Sequence, residues 1–232
     1  MSLDDLKLDL RKEANSEKAK IFQRFFKTGR GEYGEGDIFL GIPVPKQRKI
    51  AMKHKSLALK DVQLLLKSKI HEERLTALLI LVNNCKKSEN KSEIYDFYLK
   101  NTKNINNWDL VDFSAHAIIG AYLEDKDRSI LYKLAKSSNL WERRIAIIST
   151  FHFIKNNDFS DTLKIAEILL NDKHDLIHKA VGWMLREIGK RDISVLENFL
   201  KKNYHSMPRT MLRYAIEKFP EKKRKMYLAG KI

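Results

Sequence analysis

An all-α fold is predicted for this chain by three observations. Apolar residues recur every three to four positions within segments of strong helix formers. Between Lys46 and Phe219 the only proline is Pro208. Similar helical segments return at intervals of 37, 33, 35 and 30 residues, aligning Arg74, Val111, Arg144, Lys179 and Arg209. The clearest stripes are Leu75, Leu78, Leu79, Val82, then Val111, Ala115, Ile118, Ile119, Tyr122, then Val181, Met184, Leu185, Ile188. No stretch alternates strictly enough to read as a strand.

In chain order, the start Met1-Ser2-Leu3-Asp4-Asp5-Leu6 has neither a basic nor an apolar run, so no secretory signal is expected. Gly29, Gly31, Gly34 and Gly36 mark a loop at about residues 28–37, expected to be mobile. It has no preceding strand and no lysine after its last glycine, so it does not read as a phosphate-cradling loop. Pro43 and Pro45 follow, and the repeating helices begin. Shorter helices are expected around Ser92–Lys100, Ser129–Lys136, Thr162–Leu170 and Ser194–Lys202. Two helices per unit of 30–40 residues predict a HEAT-like helical-repeat superhelix, one domain over 1–232, with a concave basic face. Three positions past the aligned site stand Ala77, Ser114, Ile147, Gly182 and Leu212, mostly small, as close helix packing requires. A short basic segment, 219–232, closes the chain with Lys222-Lys223-Arg224-Lys225.

Charge narrows the partner. The chain carries 45 basic and 30 acidic side chains, a net +15, and a pI of about 9.7. A polyanion is expected, nucleic acid first. Basic residues at one repeat position would form a stripe for a phosphate backbone; alternatively, each caps or salt-bridges its own repeat. The single cysteine, Cys85, excludes an intramolecular disulfide and suits a reducing cytosol. No apolar stretch reaches the roughly 18 residues of a membrane span, so a cytoplasmic, nucleoid-associated protein is expected. His174 and His178 share a metal-ligand spacing but lack an evident third ligand; no metal and no cofactor are expected.

One repeat breaks the basic pattern. Val111 occupies the aligned position and Asp112 follows, with Trp108 one helical turn earlier on the same face. A carboxylate repels phosphate, so its presence there points to chemistry rather than affinity. Asp109 reads as a first-turn acid favoured by the helix dipole, and Trp141 as a packing residue.

Trp108-Asp109-Leu110-Val111-Asp112, Leu140-Trp141-Glu142-Arg143-Arg144 and Ala180-Val181-Gly182-Trp183-Met184-Leu185-Arg186-Glu187 resemble the bacterial DNA alkylation repair family, AlkD-like. Phe39-Leu40-Gly41-Ile42-Pro43-Val44-Pro45-Lys46-Gln47-Arg48 is similar to that family's N-terminal signature, and the likeness runs from about residue 20 to 218. The resemblance implies a HEAT-like DNA glycosylase that removes N3- and N7-alkylated purines without a metal. It implies Asp112 as catalytic carboxylate and Trp108, Trp183 and Arg144 as cleft residues. Arg48, Arg74, Lys179 and Arg209 are expected phosphate contacts. The family's N-terminal aromatic corresponds to Phe25 or Phe26, neither offering a tyrosine hydroxyl.

The chemistry follows from charge. Alkylation at N3 or N7 makes the purine cationic, so it leaves as a neutral base and needs little protonation. What remains costly is the oxocarbenium-like charge on the sugar. A fixed carboxylate stabilises that charge and orients water, and indole faces add up to about 2 kcal/mol. The expectation is a monofunctional, monomeric glycosylase on duplex DNA that leaves an abasic site. The alternatives are a non-catalytic HEAT-repeat protein binding bent or branched DNA, and a scaffold for an acidic protein.

Overall fold

The computed structural model describes residues 2–87 and 91–232 and is all-α. One isolated parallel bridge, Ile38 to Ile70, is its only extended pairing among the described residues. The chain forms two compact units, one up to Ile118 and one from Ile119 to Ile232.

The first unit holds α1 (Leu3–Lys12), α2 (Ser16–Phe25), α3 (Val44–Lys53), α4 (Leu59–Leu66), α5 (His71–Cys85), α6 (Lys91–Lys100) and α7 (Trp108–Ala115). A π-helical turn, His116–Gly120, continues α7. Caps explain several starts. Ser2 and Asp5 form a capping box on α1, and Asn15 accepts from the Lys18 amide at 2.9 Å to open α2. Helix α5 is the centre of the unit: every residue from His71 to Val82 is buried. Such a helix must satisfy its polar groups internally. His71, Glu72, Glu73 and Arg74 therefore need partners, and finding them organises the site described below.

Gly41 shows why the Phe39–Ile42 segment has its sequence. Its φ is +79°, and a Cβ there would meet the Asn15 carbonyl oxygen at 2.1 Å. Only glycine allows both the left-handed turn and the close approach to the start of α2. The amides of Leu40, Gly41 and Ile42 all donate to the Glu72 carboxylate, at 2.9, 2.8 and 3.2 Å. That signature is thus a backbone cradle around one buried acid.

The second unit holds α8 (Ser129–Ala135), α9 (Leu140–Ser149), α10 (Phe151–Lys155), α11 (Ser160–Ile168), α12 (Asp175–Gly189), α13 (Ile193–Asn203), α14 (Arg209–Ala215) and α15 (Glu221–Leu228). The four short helices expected from the sequence are α6, α8, α11 and α13, with ends shifted by up to two residues. Helix α12 buries Ile177, Ala180, Val181, Met184, Leu185 and Ile188, the periodic face of its sequence. It packs closely on α14 because Gly182 has no side chain: a Cβ there would lie 2.5 Å from both the Met211 oxygen and the Tyr214 Cβ. No helix among the described residues is long and apolar enough to cross a membrane.

Candidate functional site

In the first unit, the loop at residues 28–37 is a run of turns. Glu32 and Glu35 accept from the Gly29 and Gly31 amides at 2.8 and 2.9 Å, and the Gly34 amide donates to the Lys27 carbonyl. The loop ends by burying Asp37 beneath α5. There the Asp37 carboxylate accepts from Arg74 at 2.6 Å and lies 3.2 Å from His71 Nδ1. His71 Nε2 lies 2.8 Å from Asp109 on α7. Burial alone would push the His71 imidazole down; the charge and hydrogen bond of Asp109, with Asp37 behind it, instead raise it to about 9. His71 is therefore an imidazolium at neutral pH, clamped between two carboxylates. Asp37 is held below the usual carboxylate range: burial opposes this, but the His71 bond and the Arg74 charge prevail.

This clamp positions α7. Asn107, fully buried, accepts from the Trp108 amide at 2.8 Å, and Asp109 accepts from the Leu110 amide at 2.8 Å while holding His71. Asp109 is thus a buried ion-pair partner of His71, and not merely a first-turn acid. Farther along, Ser114 bridges the Leu110 carbonyl and the Tyr98 hydroxyl, at 2.5 and 2.9 Å. Burial pushes the Tyr98 phenol up, and the Asp112 charge adds to the effect, so Asp112 lies within electrostatic reach of that buried ring.

The Trp108 indole is fixed by stacking. Its ring lies 5.1 Å from Phe26 at 11°, and Phe25 meets it edge-on at 5.9 Å. Phe26 stacks on Phe39 at 4.9 Å, and Phe39 on His71 at 4.5 Å. The column therefore runs from the half-buried Trp108 to the buried imidazolium. Phe25 is 62% exposed at its edge. Asp112 is half-buried, four residues after Trp108 on the same helix. On the following residue of α7, the exposed Arg48 rests its guanidinium 5.1 Å over the Phe113 ring.

The repeat-position residues take different roles. Arg74 is buried, donating to the Ser68 carbonyl at 2.9 Å as well as to Asp37. In the second unit Arg144 is buried too, and donates to the Leu176 carbonyl at 2.5 Å. Both guanidiniums anchor one helix to the segment next to it. Lys179, paired with Asp175 at 2.6 Å, and Arg209, which donates to the Leu228 carbonyl, instead line a cavity formed by α12, α14 and α15. Trp183 is half-buried; its Nε1 donates to Glu187 at 3.2 Å and its ring tilts against Phe151 at 5.8 Å. Trp141 is buried, as a packing residue should be. His174 accepts from the Leu176 amide at the start of α12, and His178 Nε2 contacts the Asp172 carbonyl. Among the described residues no cluster of three or more metal-ligating side chains occurs.

Sequence reasoning passed over His71, Asp37 and Glu72. A signal was present: four consecutive polar residues, His71-Glu72-Glu73-Arg74, lead directly into the apolar run at residues 75–82 of one helix.

The comparisons agree with this architecture. Among solved structures, the chain is similar to a predicted DNA alkylation repair enzyme from Enterococcus faecalis, with a TM-score of 0.68 and 16% identity over 90% of this chain and 98% of that one. At such identity the likeness establishes the fold. No curated protein matches. The family model described as DNA alkylation repair enzyme matches residues 6–219, nearly the whole chain. This protein belongs to the DNA alkylation repair enzyme family.

Proposed function

We propose that this protein is a monofunctional DNA glycosylase acting on cationic N3- and N7-alkylated purines in duplex DNA. The observation that carries the reading is the α7 pair: a half-buried carboxylate, Asp112, one turn from an indole, Trp108, that is stacked in place by Phe26. A net charge of +15 supports a DNA substrate, and the paired helices of each unit support a HEAT-like repeat. Asp112 stabilises the oxocarbenium-like transition state and orients the attacking water, and the products are the free base and an abasic site. Trp108 presents its indole to the cationic lesion. Trp183 and Arg144 enter the proposal through the family resemblance, whereas Lys179 and Arg209 enter it as phosphate contacts through the basic character of their aligned positions, and Arg48 as a further basic candidate. The Arg74 guanidinium, held by Asp37, supports this reading only as an anchor for α5. The enzyme would act as a cytoplasmic monomer, without metal or cofactor.

The test is release of free 7-methylguanine and 3-methyladenine from alkylated duplex DNA, measured by mass spectrometry. Asp112→Asn is expected to slow release at least ~100-fold, equivalent to about 2.7 kcal/mol of barrier. Absence of release from folded, DNA-binding wild type would transfer the reading to a non-catalytic protein that recognises bent or branched DNA.

A further inference from the structure

The cavity between α12, α14 and α15 has a volume of about 710 Å³ and lies wholly within the second unit. Most of the charge around it is already matched. Asp175 pairs with Lys179 at 2.6 Å, Glu217 pairs with Arg186 and with Lys218, and Arg209 is held by the Leu228 carbonyl. Two guanidiniums facing the same space are not matched. Arg213 and Arg224 both line it, and neither side chain has a hydrogen-bond or ion-pair partner among the described residues. The Nε of Arg224 is also shut off from solvent without an acceptor. A donor that has lost water and gained nothing is a cost to the fold. The Tyr214 hydroxyl, likewise without a partner, lines the same wall.

The placement is built in. Gly182 lets α14 approach α12 closely, with the Tyr214 Cβ in contact distance of the glycine. That approach fixes the backbone carrying Arg209, Arg213 and Tyr214 against α12, while α15 brings Arg224 from the other side. The short basic segment at residues 219–232 thus contributes a wall of the cavity through Arg224 and Leu228.

We propose that this cavity is a phosphate-binding site, in which Arg213 and Arg224 hold the phosphate oxygens and Tyr214 donates a third hydrogen bond. Planar guanidiniums match phosphate oxygens in paired, charge-assisted bonds, and a phosphate would supply the acceptor that Arg224 lacks. The phosphate comes either from the backbone of duplex DNA or from a free phosphorylated small molecule. Its capture requires no base excision, so it stands or falls separately from the glycosylase reading.

The experiment compares wild type with Arg213→Gln/Arg224→Gln and with a charge-matched control, Lys201→Gln/Lys202→Gln, on the exposed end of α13. Folding is checked by thermal melts. In one arm, binding to a short undamaged duplex is followed by fluorescence anisotropy at salt concentrations from about 50 to 200 mM. In the other, inorganic pyrophosphate and ATP are titrated calorimetrically. If the phosphate is DNA's, the arginine pair weakens duplex binding by about tenfold or more and flattens the salt slope by roughly two, clearly beyond the control. If it belongs to a small molecule, pyrophosphate or ATP binds wild type below about 1 mM and fails to bind the arginine pair. The proposal is overturned if the arginine pair matches the control on DNA and neither small phosphate binds below that concentration.

Discussion

The first unit buries its charges in pairs, whereas the second leaves some of its charges facing a cavity without partners. Around α5, His71, Asp37, Arg74 and Asp109 are each at least nine-tenths buried and joined in one chain of contacts. Around the α12–α14–α15 cavity, Arg213 and Arg224 have no such partners among the described residues. Buried charges must be matched within the fold, since desolvation costs several kcal/mol per ion. Charges at an open cavity remain available to something else. The comparison separates residues that hold this protein together from residues poised to hold a ligand.

The sharpest way to break it is to remove the central cation. His71→Ala leaves Asp37 and Asp109 buried without their shared partner, and is expected to cost about 3–5 kcal/mol, read as a fall in the urea midpoint. A loss below about 1 kcal/mol would mean that the two carboxylates do not need the imidazolium. The next effect is one of pH. The His71 pKa is about 9 in the fold, above its ordinary value of 6.5. Its contribution is therefore complete below pH 6.5 and disappears as pH rises through about 9. Melting temperature should decline across that window in wild type, and the decline should be reduced in His71→Ala. A wild-type profile that is flat or rises there contradicts a buried imidazolium. The smallest expected effect sharpens the other side. Arg213→Gln should change stability by no more than about 0.5 kcal/mol, because the exposed side chain has no partner to lose. A larger cost would place Arg213 among the structural charges.

Particular residues show how far the sequence could be read. The α12 stripe was legible because a helix repeats every 3.6 residues, so Val181, Met184, Leu185 and Ile188 mark one face before any folding. Gly182 was legible as a close-packing position, though not as the glycine that sets α14 beside α12. The Phe39–Ile42 segment was legible only as a resemblance; its physical role is to wrap three amides around Glu72, 30 to 32 positions away. The alignment of Arg74 with Lys179 is silent about their fate, since one is buried against Asp37 and the other lines a cavity. Asp109 and Asp112 are both acids on one short helix. Nothing in their local sequence says that the first is held by a histidine 38 positions away.

By itself the sequence determined the helical class, the approximate helix positions, the basic character and the Trp108–Asp112 spacing. Each of these is a local or additive property, set by backbone period and by the sum of charges. Only the tertiary structure decided which charges are matched, which aromatic ring fixes Trp108, and that Arg213 and Arg224 face one cavity. Those outcomes depend on which distant segments come together, and a pairing exists only where folding brings donor and acceptor within about 3 Å.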